Sequence, residues 1–188
     1  MKPIFIIEHL EPRLWKWCLS EYKSISKIVG KRNLWFTNVK RGSKKLRNYG
    51  KILKNSVKEM NLKNACVLDP DAKKILSSKD RKFDYLIFGG ILGDYPARKR
   101  TKKELTRFVS NFAARSLGKK QMSTDNAVYV ANEIIKGKKF NEMKFKDKIE
   151  IKINDIESTI LPFRYTLIDG KPFISQEIVN YLKRKKGF

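Results

Sequence analysis

The sequence predicts an α/β fold, a mainly parallel sheet flanked by helices, and two observations predict it. Short apolar segments alternate with segments of helical periodicity through the first 90 residues. Parallel strands need long crossover connections, and helices supply them. Residues 4–7 (IFII) and 85–88 (YLIF) are apolar throughout, as is typical of strands covered on both faces. The length predicts a single domain, residues 1–188.

The first elements follow from local patterns. Residues 4–8 form the first predicted strand, and Pro12 stands where a helix can begin. A helix is predicted over residues 13–29, because apolar residues recur there at helical spacing, and Gly30 ends it. Residues 34–37 form the second predicted strand.

A second helix is predicted over residues 43–60, with Ser43 as its cap. Its apolar residues share one face: Leu46, Tyr49, Leu53, Val57 and Met60. Residues 65–68 (ACVL) and 83–88 (FDYLIF) are the third and fourth predicted strands, and Asp69-Pro70 ends the third.

The second half is less regular, because the glycine-rich residues 89–96 follow the fourth strand without a clear helix. The elements predicted after it are a short helix at 104–108, a strand or turn at 111–116, a helix from Ser123 or Thr124 to Ile135, strands at 149–153 and 161–168, and a helix from Ser175 to about Arg184.

The composition excludes several classes of protein. Hydrophobic residues make up 41% of the chain, so full disorder is excluded. The longest apolar runs are four or five residues, too short for a transmembrane helix, and the N-terminus is charged too early for a secretory signal. Cys18 and Cys66, with one histidine, exclude a disulfide scaffold and a Cys/His zinc site. We therefore expect a cytoplasmic protein with no metal and no membrane partner.

The charge points to a polyanionic partner. The chain has 43 Lys and Arg against 19 Asp and Glu, a formal net charge of +24. Such a field attracts nucleic acid, so RNA or ribosome association is one interpretation. The other interpretation is a compositional bias, since 32 of the 43 cations are Lys, which lacks the bidentate fork of Arg.

Four segments are candidate sites, and each has a structural alternative. Residues 89–94 (GGILGD) follow a buried strand, where a parallel sheet binds ligands, but a glycine-rich turn is also a common structural element. Residues 115–125 combine a glycine with the start of a helix, which is typical of a ligand-binding loop. The structural alternative is a loop that ends in a helix N-cap. Residues 161–165 (LPFRY) carry a proline that fits an edge strand with a bulge. Glu8-His9 end the first strand, with Glu21 on the next helix.

Neither of two common nucleotide motifs is present. The glycine spacing is not GxGxxG, and GxxxxGK[ST] occurs nowhere in the sequence. A P-loop NTPase and the usual dinucleotide-binding fingerprint are therefore disfavoured. No Ser or Cys nucleophile with a partnering triad can be assigned.

Six segments together resemble one family, the SPOUT-class S-adenosylmethionine-dependent methyltransferases of the protein-arginine branch. The segments are FDYLIFGGILGD-P (83–96), R-RT (Arg98, Arg100, Thr101), RSLG-KQM-TD (115–125), PFRY (162–165), VLDP (67–70), and the opening IIEHLEP with W-LSEY in the following helix. The resemblance covers nearly the whole chain.

The resemblance implies a parallel sheet whose C-terminal part is threaded into a deep trefoil knot, and S-adenosylmethionine bound on three loops, residues 88–94, 115–124 and 160–165. The implied cofactor-binding residues are Phe88, Gly89, Gly90, Ile91, Leu92, Gly93, Arg115, Ser116, Leu117, Gly118, Gln121, Met122, Ser123, Thr124, Leu161, Pro162, Phe163 and Tyr165. Glycines let backbone approach an adenine, and Leu92, Leu117 and Leu161 could enclose the ring.

The branch is similar to enzymes that methylate an arginine of a small-subunit ribosomal protein. A guanidinium stays protonated, so nearby carboxylates must orient it and take a proton as the new bond forms. The acidic candidates are Glu8, Asp94 and Glu21, with Glu8 and Asp94 favoured, and His9 and Arg98 are expected to shape the site.

The acceptor is left open by the sequence. A ribosomal protein or ribosomal subunit is the leading substrate. RNA is the first alternative, favoured by the net charge and by the basic residues 98–103, and a non-catalytic RNA-binding protein is the second. Lys99 stands where the family pattern has an acidic residue, which disfavours a basic peptide. An arginine acceptor predicts that acidic residues gather partly around the cofactor mouth. The protein is expected to be a monomer or a homodimer.

Overall fold

A computed structural model describes residues 3–184. Six strands form one sheet in which every pairing is parallel. They are β1 (Ile4–His9), β2 (Leu34–Thr37), β3 (Lys51–Ile52), β4 (Ala65–Leu68), β5 (Tyr85–Gly90) and β6 (Ala113–Arg115). Their spatial order is β3-β2-β1-β5-β4-β6, so the predicted parallel sheet is confirmed.

Helices and short turns cover both faces of this sheet. The α-helices of the described part are α1 (Lys16–Val29), α2 (Arg100–Glu104), α3 (Thr124–Ile135) and α4 (Gln176–Arg184). Phe5 of β1 packs in one buried cluster with Tyr22 of α1 and Val128 of α3. The next residue, Ile6, lies in a separate cluster with Leu105. Alternate residues of β1 thus enter two cores, as the apolar strand sequence predicts.

Helix α1 ends where its sequence predicts. Gly30 has φ +85°, a backbone conformation that favours glycine, and its N–H donates to the carbonyl of Ser26. The buried residues of α1 include Cys18, Tyr22 and Ile25. The helix begins at Lys16 rather than at the predicted residue 13, and Trp15, at the N-cap, provides no side-chain cap.

The predicted helix over residues 43–60 is wrong. The chain forms a 3₁₀ turn at Ser43–Leu46, then β3, then a second 3₁₀ turn at Val57–Glu59. Gly50 explains the break, because a Cβ on it would lie 2.6 Å from the carbonyl oxygen of Leu34. That close approach brings the chain beside β2 as a new edge strand. Leu46 and Val57 consequently pack on opposite sides of the sheet, in different clusters.

The middle of the chain follows the prediction more closely. Strand β6 lies within the predicted 111–116 region, and α3 begins after Ser123 as expected. The short helix predicted at 104–108 is displaced: α2 occupies Arg100–Glu104, and a 3₁₀ turn follows at Thr106–Phe108. The helix therefore begins four residues before the predicted start, within the basic segment.

A second, antiparallel sheet follows α3. It consists of β7 (Phe145–Lys152), β8 (Ser158–Ile168) and β9 (Lys171–Pro172), with β8 in the middle. The pairing register of β7 and β8 shifts between Asp147 and Ile149, opposite Pro162, and β9 pairs only with the far end of β8. The bulge that the proline predicted is confirmed, whereas the predicted edge position is wrong, because β8 is the central strand of this sheet.

Hydrogen bonds fix this sheet against the start of α3. The backbone N–H of Arg164 donates to the carbonyl of Gln121 at 2.8 Å. Asn126 accepts from the N–H of Thr166 at 2.8 Å and donates to the carbonyl of Phe173 at 2.9 Å. These bonds place the β8 segment beside the loop that precedes α3. Within residues 3–184, no helix is long and apolar enough to cross a membrane.

Candidate active site

The loops at the carboxyl ends of β4, β5 and β6 surround one cavity, here called the strand-end cavity. Its apolar wall is formed by Leu68, Phe88, Leu117, Met122 and Ala127. This is the end of a parallel sheet at which ligands bind, because backbone N–H groups and loop side chains converge there. The wall provides the flat apolar surface that a heteroaromatic ring requires.

Glycines line the same cavity. Gly89 is the last residue but one of β5, and a Cβ on it would lie 3.5 Å from the hydroxyl of Thr101. Gly118 has φ +89°, which a residue with a side chain adopts only under strain. At both positions backbone, rather than a side chain, faces the cavity.

The charges at the mouth of the strand-end cavity are mixed. Its acidic lining residues are Asp69, Asp71 and Asp94, and its basic ones are Arg98, Lys99, Arg100, Lys119 and Lys120. Several of these charges neutralise one another: Arg98 lies 4.0 Å from Asp94 and Lys99 lies 3.6 Å from Asp71. Because the mouth is not wholly basic, the expectation for an arginine acceptor is met.

A second cavity adjoins the first and is here called the aromatic cavity. It is lined by Trp15, Lys16, Trp17, Glu21, Leu92, Gly93, Met122, Ser123, Phe163 and Tyr181. Met122 lines both cavities. Gly93 forms part of the wall, since a Cβ on it would lie 2.5 Å from Nε2 of Gln121 and 2.7 Å from the ring of Phe163.

Glu21 is the carboxylate of the aromatic cavity. It is 4% exposed, and Nε1 of Trp17, one helical turn earlier on α1, donates to its Oε1 at 2.8 Å. Burial and the nearby charge of Asp125 raise the pKa of Glu21 to about 8, although hydrogen bonds from Trp17 and Thr124 act in the opposite direction. A carboxyl with this pKa can exchange a proton near neutral pH.

Asp125 supports Glu21 from the first turn of α3. Its Oδ1 accepts from the hydroxyl of Ser123 at 2.7 Å and from the N–H of Asn126 at 2.9 Å. Burial raises the pKa of Asp125 above its ordinary value. Two carboxyls so close together and so deeply buried favour keeping a proton between them.

Glu8, which the sequence favoured for catalysis, lies elsewhere. It is fully buried, and its oxygens accept from the hydroxyls of Thr37 and Ser56, each at 2.5 Å, and from the N–H of Val57 at 3.1 Å. The carboxylate therefore joins β1 and β2 to the 3₁₀ turn at Val57–Glu59. It is not among the residues that line either cavity.

The other catalytic candidates are divided between the two cavities and the core. Asp94 and Arg98 line the strand-end cavity, and the side chain of Arg98 is 75% exposed. His9 is buried, with Nδ1 2.8 Å from the hydroxyl of Tyr22, and burial lowers the pKa of His9. A neutral imidazole in this position supports the end of β1 beneath the loop after β5.

The first two predicted cofactor loops reach the cavities. Phe88, Gly89 and Ile91 line the strand-end cavity, whereas Leu92 and Gly93 line the aromatic cavity. The predicted cofactor-binding residues of the second loop that line a cavity are Leu117, Gly118, Gln121, Met122, Ser123 and Thr124. Three residues of these loops do not: Gly90 pairs with His9, Ser116 bonds to backbone at residue 74, and Arg115 donates to Asp80 at 3.0 Å.

The third predicted loop contributes one lining residue, Phe163, to the aromatic cavity. Leu161 and Tyr165 are instead buried with Ile149 in the core of the small sheet. Pro162 marks the irregularity between β7 and β8. Phe163 packs against the same cluster, so its ring lies between the core of the small sheet and the aromatic cavity.

Sequence reasoning missed several residues that the structure places in the site. Asp69 and Asp71, in the loop after β4, line the strand-end cavity. The sequence did indicate that Asp69-Pro70 ends a buried strand. Only the pairing of β4 with β5 shows that the ends of these two strands adjoin. Trp17, which the sequence indicated only as part of the W-LSEY segment, lines the aromatic cavity. Among residues 3–184, no group of three His, Cys, Asp or Glu side chains is placed to hold a metal ion.

Comparison with known proteins gives a consistent result. The family model described as protein arginine N-methyltransferase SFM1-like matches residues 4–187. The chain is 36% identical over 200 residues to protein arginine N-methyltransferase SFM1 of Saccharomyces cerevisiae (strain ATCC 204508 / S288c), covering 96% of this chain and 94% of that protein.

Solved structures agree with the sequence comparison. The yeast arginine methyltransferase SFM1 complexed with SAM has a TM-score of 0.88 and 35% identity, covering 98% of this chain and 91% of that one. The SAH complex of the yeast enzyme has a TM-score of 0.87 and 35% identity, covering 95% and 94%. The dual specific Trm10 from Thermococcus kodakaraensis, 21% identical with a TM-score of 0.57 over 74% of this chain and 96% of that one, shares the fold.

Proposed function

Because the chain belongs to the SFM1-like family of protein arginine N-methyltransferases, which are S-adenosylmethionine-dependent enzymes, we propose that it methylates an arginine side chain of a ribosomal protein. The two adjoining cavities have different roles in this proposal, because the strand-end cavity holds the cofactor and the aromatic cavity holds the arginine. The observation that carries this division is the position of Glu21, a buried carboxyl in an aromatic cavity that shares Met122 with its neighbour.

The residues of the strand-end cavity fit S-adenosylmethionine. Phe88, Leu117 and Met122 offer an apolar surface for an adenine, and Gly89 and Gly118 let backbone approach its edge. The cofactor carries a sulfonium cation and no phosphate, which agrees with a mixed mouth and with the absence of a P-loop sequence. When bound, it supplies an electrophilic methyl group.

The aromatic cavity fits a guanidinium. Trp15, Trp17 and Phe163 supply rings on which a planar cation is stabilised, and Glu21 supplies the carboxylate that a guanidinium fork bonds. Burial strengthens such a pair, since few waters compete with it. Lys16 is the basic residue in this lining, so the cavity does not repel a cation as a wholly basic one would.

Glu21 also provides a destination for the proton. With a pKa of about 8, its carboxyl is protonated in much of the population at neutral pH, and entry of a guanidinium favours the carboxylate. The carboxylate then orients the fork. As the nitrogen–carbon bond forms and the sulfur–carbon bond breaks, one guanidinium proton passes to Glu21 and leaves to solvent. Positioning of the nitrogen in line supplies much of the rate.

The domain, the assembly and the mouth of the site complete the proposal. We propose that residues 1–188 form one methyltransferase domain with a threaded C-terminal knot, acting in the cytoplasm as a monomer or homodimer. Asp94 and Arg98 shape the mouth between the cofactor and the acceptor. RNA is the second candidate acceptor, favoured by the net charge of +24, and the acidic residues of the mouth weigh against it.

Transfer of a labelled methyl group distinguishes the two acceptors. The enzyme is incubated with methyl-labelled S-adenosylmethionine and hypomethylated ribosomal subunits, and the sample is divided between protease and ribonuclease. We expect the label to survive ribonuclease and to be released by protease. Label that survives protease and is released by ribonuclease would overturn the arginine acceptor. Glu21→Gln should abolish the signal, and Glu133→Gln, which alters a surface ion pair on α3, should not.

A further inference from the structure

One segment of the chain carries half of the net charge. Residues 22–58 contain twelve Lys and Arg and no Asp or Glu, whereas the whole chain of 188 residues has a net charge of +24. The twelve are Lys23, Lys27, Lys31, Arg32, Lys40, Arg41, Lys44, Lys45, Arg47, Lys51, Lys54 and Lys58. Eleven of them are exposed, and the half-buried Lys23 pairs with Glu177.

These residues lie on α1, on β3 at one edge of the six-stranded sheet and on the turns beside them, and residues 22–58 are here called the basic edge. The loop between β2 and β3 runs alongside α1, with the hydroxyl of Ser26 donating to the carbonyl of Tyr49 at 2.7 Å. Strand β3 is the outermost strand of the six-stranded sheet. The ammonium of Lys51 lies 4.5 Å from the ring centre of Trp35, which holds that side chain over the sheet edge.

The basic edge differs from the basic loop at residues 98–103, which the sequence singled out for RNA. Three cations of that loop face carboxylates: Arg98 faces Asp94, Lys99 faces Asp71, and Arg100 lies 2.7 Å from both Glu11 and Glu104. In the described residues of the basic edge, Lys23 is the one cation within an ion-pair distance of a carboxylate. The positive field that a polyanion would meet is therefore concentrated on the basic edge.

We propose that the basic edge docks phosphates of RNA, which holds the enzyme on a ribosomal subunit while a protein arginine enters the aromatic cavity. The proposal deepens the proposed function and rests on it for the identity of the RNA. The geometry suits simultaneous engagement: Gly42 of the basic edge lies against Leu14, since a Cβ on it would be 3.5 Å from that side chain, and the next residue, Trp15, lines the aromatic cavity.

RNA fits this surface better than an anionic membrane. A membrane-surface segment inserts an apolar face beside its cations. The large apolar residues that are exposed in the described chain are Trp15, Ile75, Tyr95, Phe108, Ile156 and Ile160, and all lie outside residues 22–58. The apolar face of α1 is itself buried against the sheet. Phosphate contacts, by contrast, need only exposed Lys and Arg.

The test is direct binding of a fluorescein-labelled RNA hairpin of about 20 nucleotides to the full chain without cofactor, measured by anisotropy across a salt series. The variant K44Q/K45Q/R47Q removes three exposed cations. We expect its affinity to fall by roughly tenfold or more at low salt, and the slope of log affinity against log salt to decrease by about 2 to 3. The Lys-to-Arg variant K44R/K45R should bind as the wild type does.

A matched control removes the same charge elsewhere. K144Q/K146Q/K152Q changes three exposed lysines on and beside β7, where Asp147 and Glu150 also lie, and should reduce affinity far less. An equal loss in both triple variants would show a non-specific charge effect and overturn the proposal. Binding to vesicles of phosphatidylcholine with about 30% phosphatidylserine, with no binding to the hairpin, would overturn it in favour of a membrane.

A second measurement separates this proposal from the proposed function. K44Q/K45Q/R47Q should transfer methyl groups to an isolated ribosomal protein at the wild-type rate and to intact ribosomal subunits several-fold more slowly. Label found in RNA would overturn the arginine acceptor and leave the docking surface intact. Normal transfer to subunits by a variant that has lost hairpin binding would overturn the docking role alone.

Discussion

Trp17 and Glu21 stand one turn apart on α1, and the indole N–H of Trp17 donates to the carboxyl of Glu21 at 2.8 Å. The bond holds a buried acid in the wall of a cavity that four aromatic residues also line. Helical spacing makes the two side chains neighbours, and the cavity makes the pair available to a ligand. The chemistry proposed for this enzyme depends on that relationship.

Glu21→Gln tests the acid directly. Glutamine preserves the acceptor for Trp17 but cannot take a proton or pair with a guanidinium as a charge. We expect methyl transfer to fall by roughly 100-fold or more. Cofactor affinity, measured by calorimetry, should stay close to that of the wild type, because Glu21 lines the other cavity. A variant with unchanged transfer would remove Glu21 from the reaction.

The same substitution has a predicted effect on stability that depends on pH. Burial and Asp125 raise the pKa of Glu21 from 4.5 to about 8, so between these values the folded state holds a proton that the unfolded chain has lost. The free energy of unfolding contributed by Glu21 therefore falls as the pH rises through this window. Glu21→Gln should be more stable than the wild type at about pH 8.5, by an amount on the order of a few kcal/mol at most, and the gain should shrink toward about pH 4.5.

Urea denaturation at several pH values measures this difference. Glu133→Gln is the control, since Glu133 forms a surface pair with Lys136 and should show little dependence on pH. A stability difference for Glu21→Gln that stays constant from about pH 4.5 to about pH 8.5 would contradict the raised pKa.

Gly93→Ala tests the wall of the aromatic cavity. The added methyl would meet Gln121 and the ring of Phe163 at 2.5 and 2.7 Å, so those side chains must move within the site. We expect methyl transfer to fall by roughly 100-fold through misplacement of the reacting groups. Gly137→Ala is the control, because a Cβ there meets nothing within 4 Å although its φ of +112° is strained. It should lower stability and leave transfer by the folded protein unchanged.

Glu8→Ala distinguishes a structural acid from a catalytic one. Removal of the carboxylate takes the acceptor from the buried donors on Ser56 and Val57, and leaves the hydroxyl of Thr37 with only the carbonyl of Ile7, at 3.3 Å. We expect a loss of about 2 to 4 kcal/mol in the free energy of unfolding. The folded fraction should retain near-normal transfer at low temperature. Glu59→Ala, on the exposed side of the same turn, should lose only about 1 kcal/mol, and a fully inactive but stable Glu8→Ala protein would restore Glu8 to catalysis.

The predicted helix over residues 43–60 shows where sequence periodicity is insufficient. Leu46 and Val57 fit one helical face, but they pack in separate clusters on opposite sides of the sheet. The helix is interrupted at Gly50, because the absence of a side chain lets the chain approach the carbonyl of Leu34 and form β3. The pairing of β3 with β2 is a contact between distant residues, and local spacing carries no information about it.

The sequence by itself determined the parallel sheet, the end of α1 at Gly30, the start of α3 after Ser123 and the glycine-rich loops that line the strand-end cavity. Each of these features depends on residues that are close in the sequence: an alternation of apolar segments, a helix cap, or a backbone conformation that only glycine adopts readily. The tertiary structure alone decided which acid faces a ligand. Glu8 accepts from Thr37 and Ser56, which are 29 and 48 residues away, whereas Glu21 meets the first turn of α3 across the cavity. Burial and partners of this kind arise from long-range packing, and the local sequence, which favoured Glu8 over Glu21, carries no information about them.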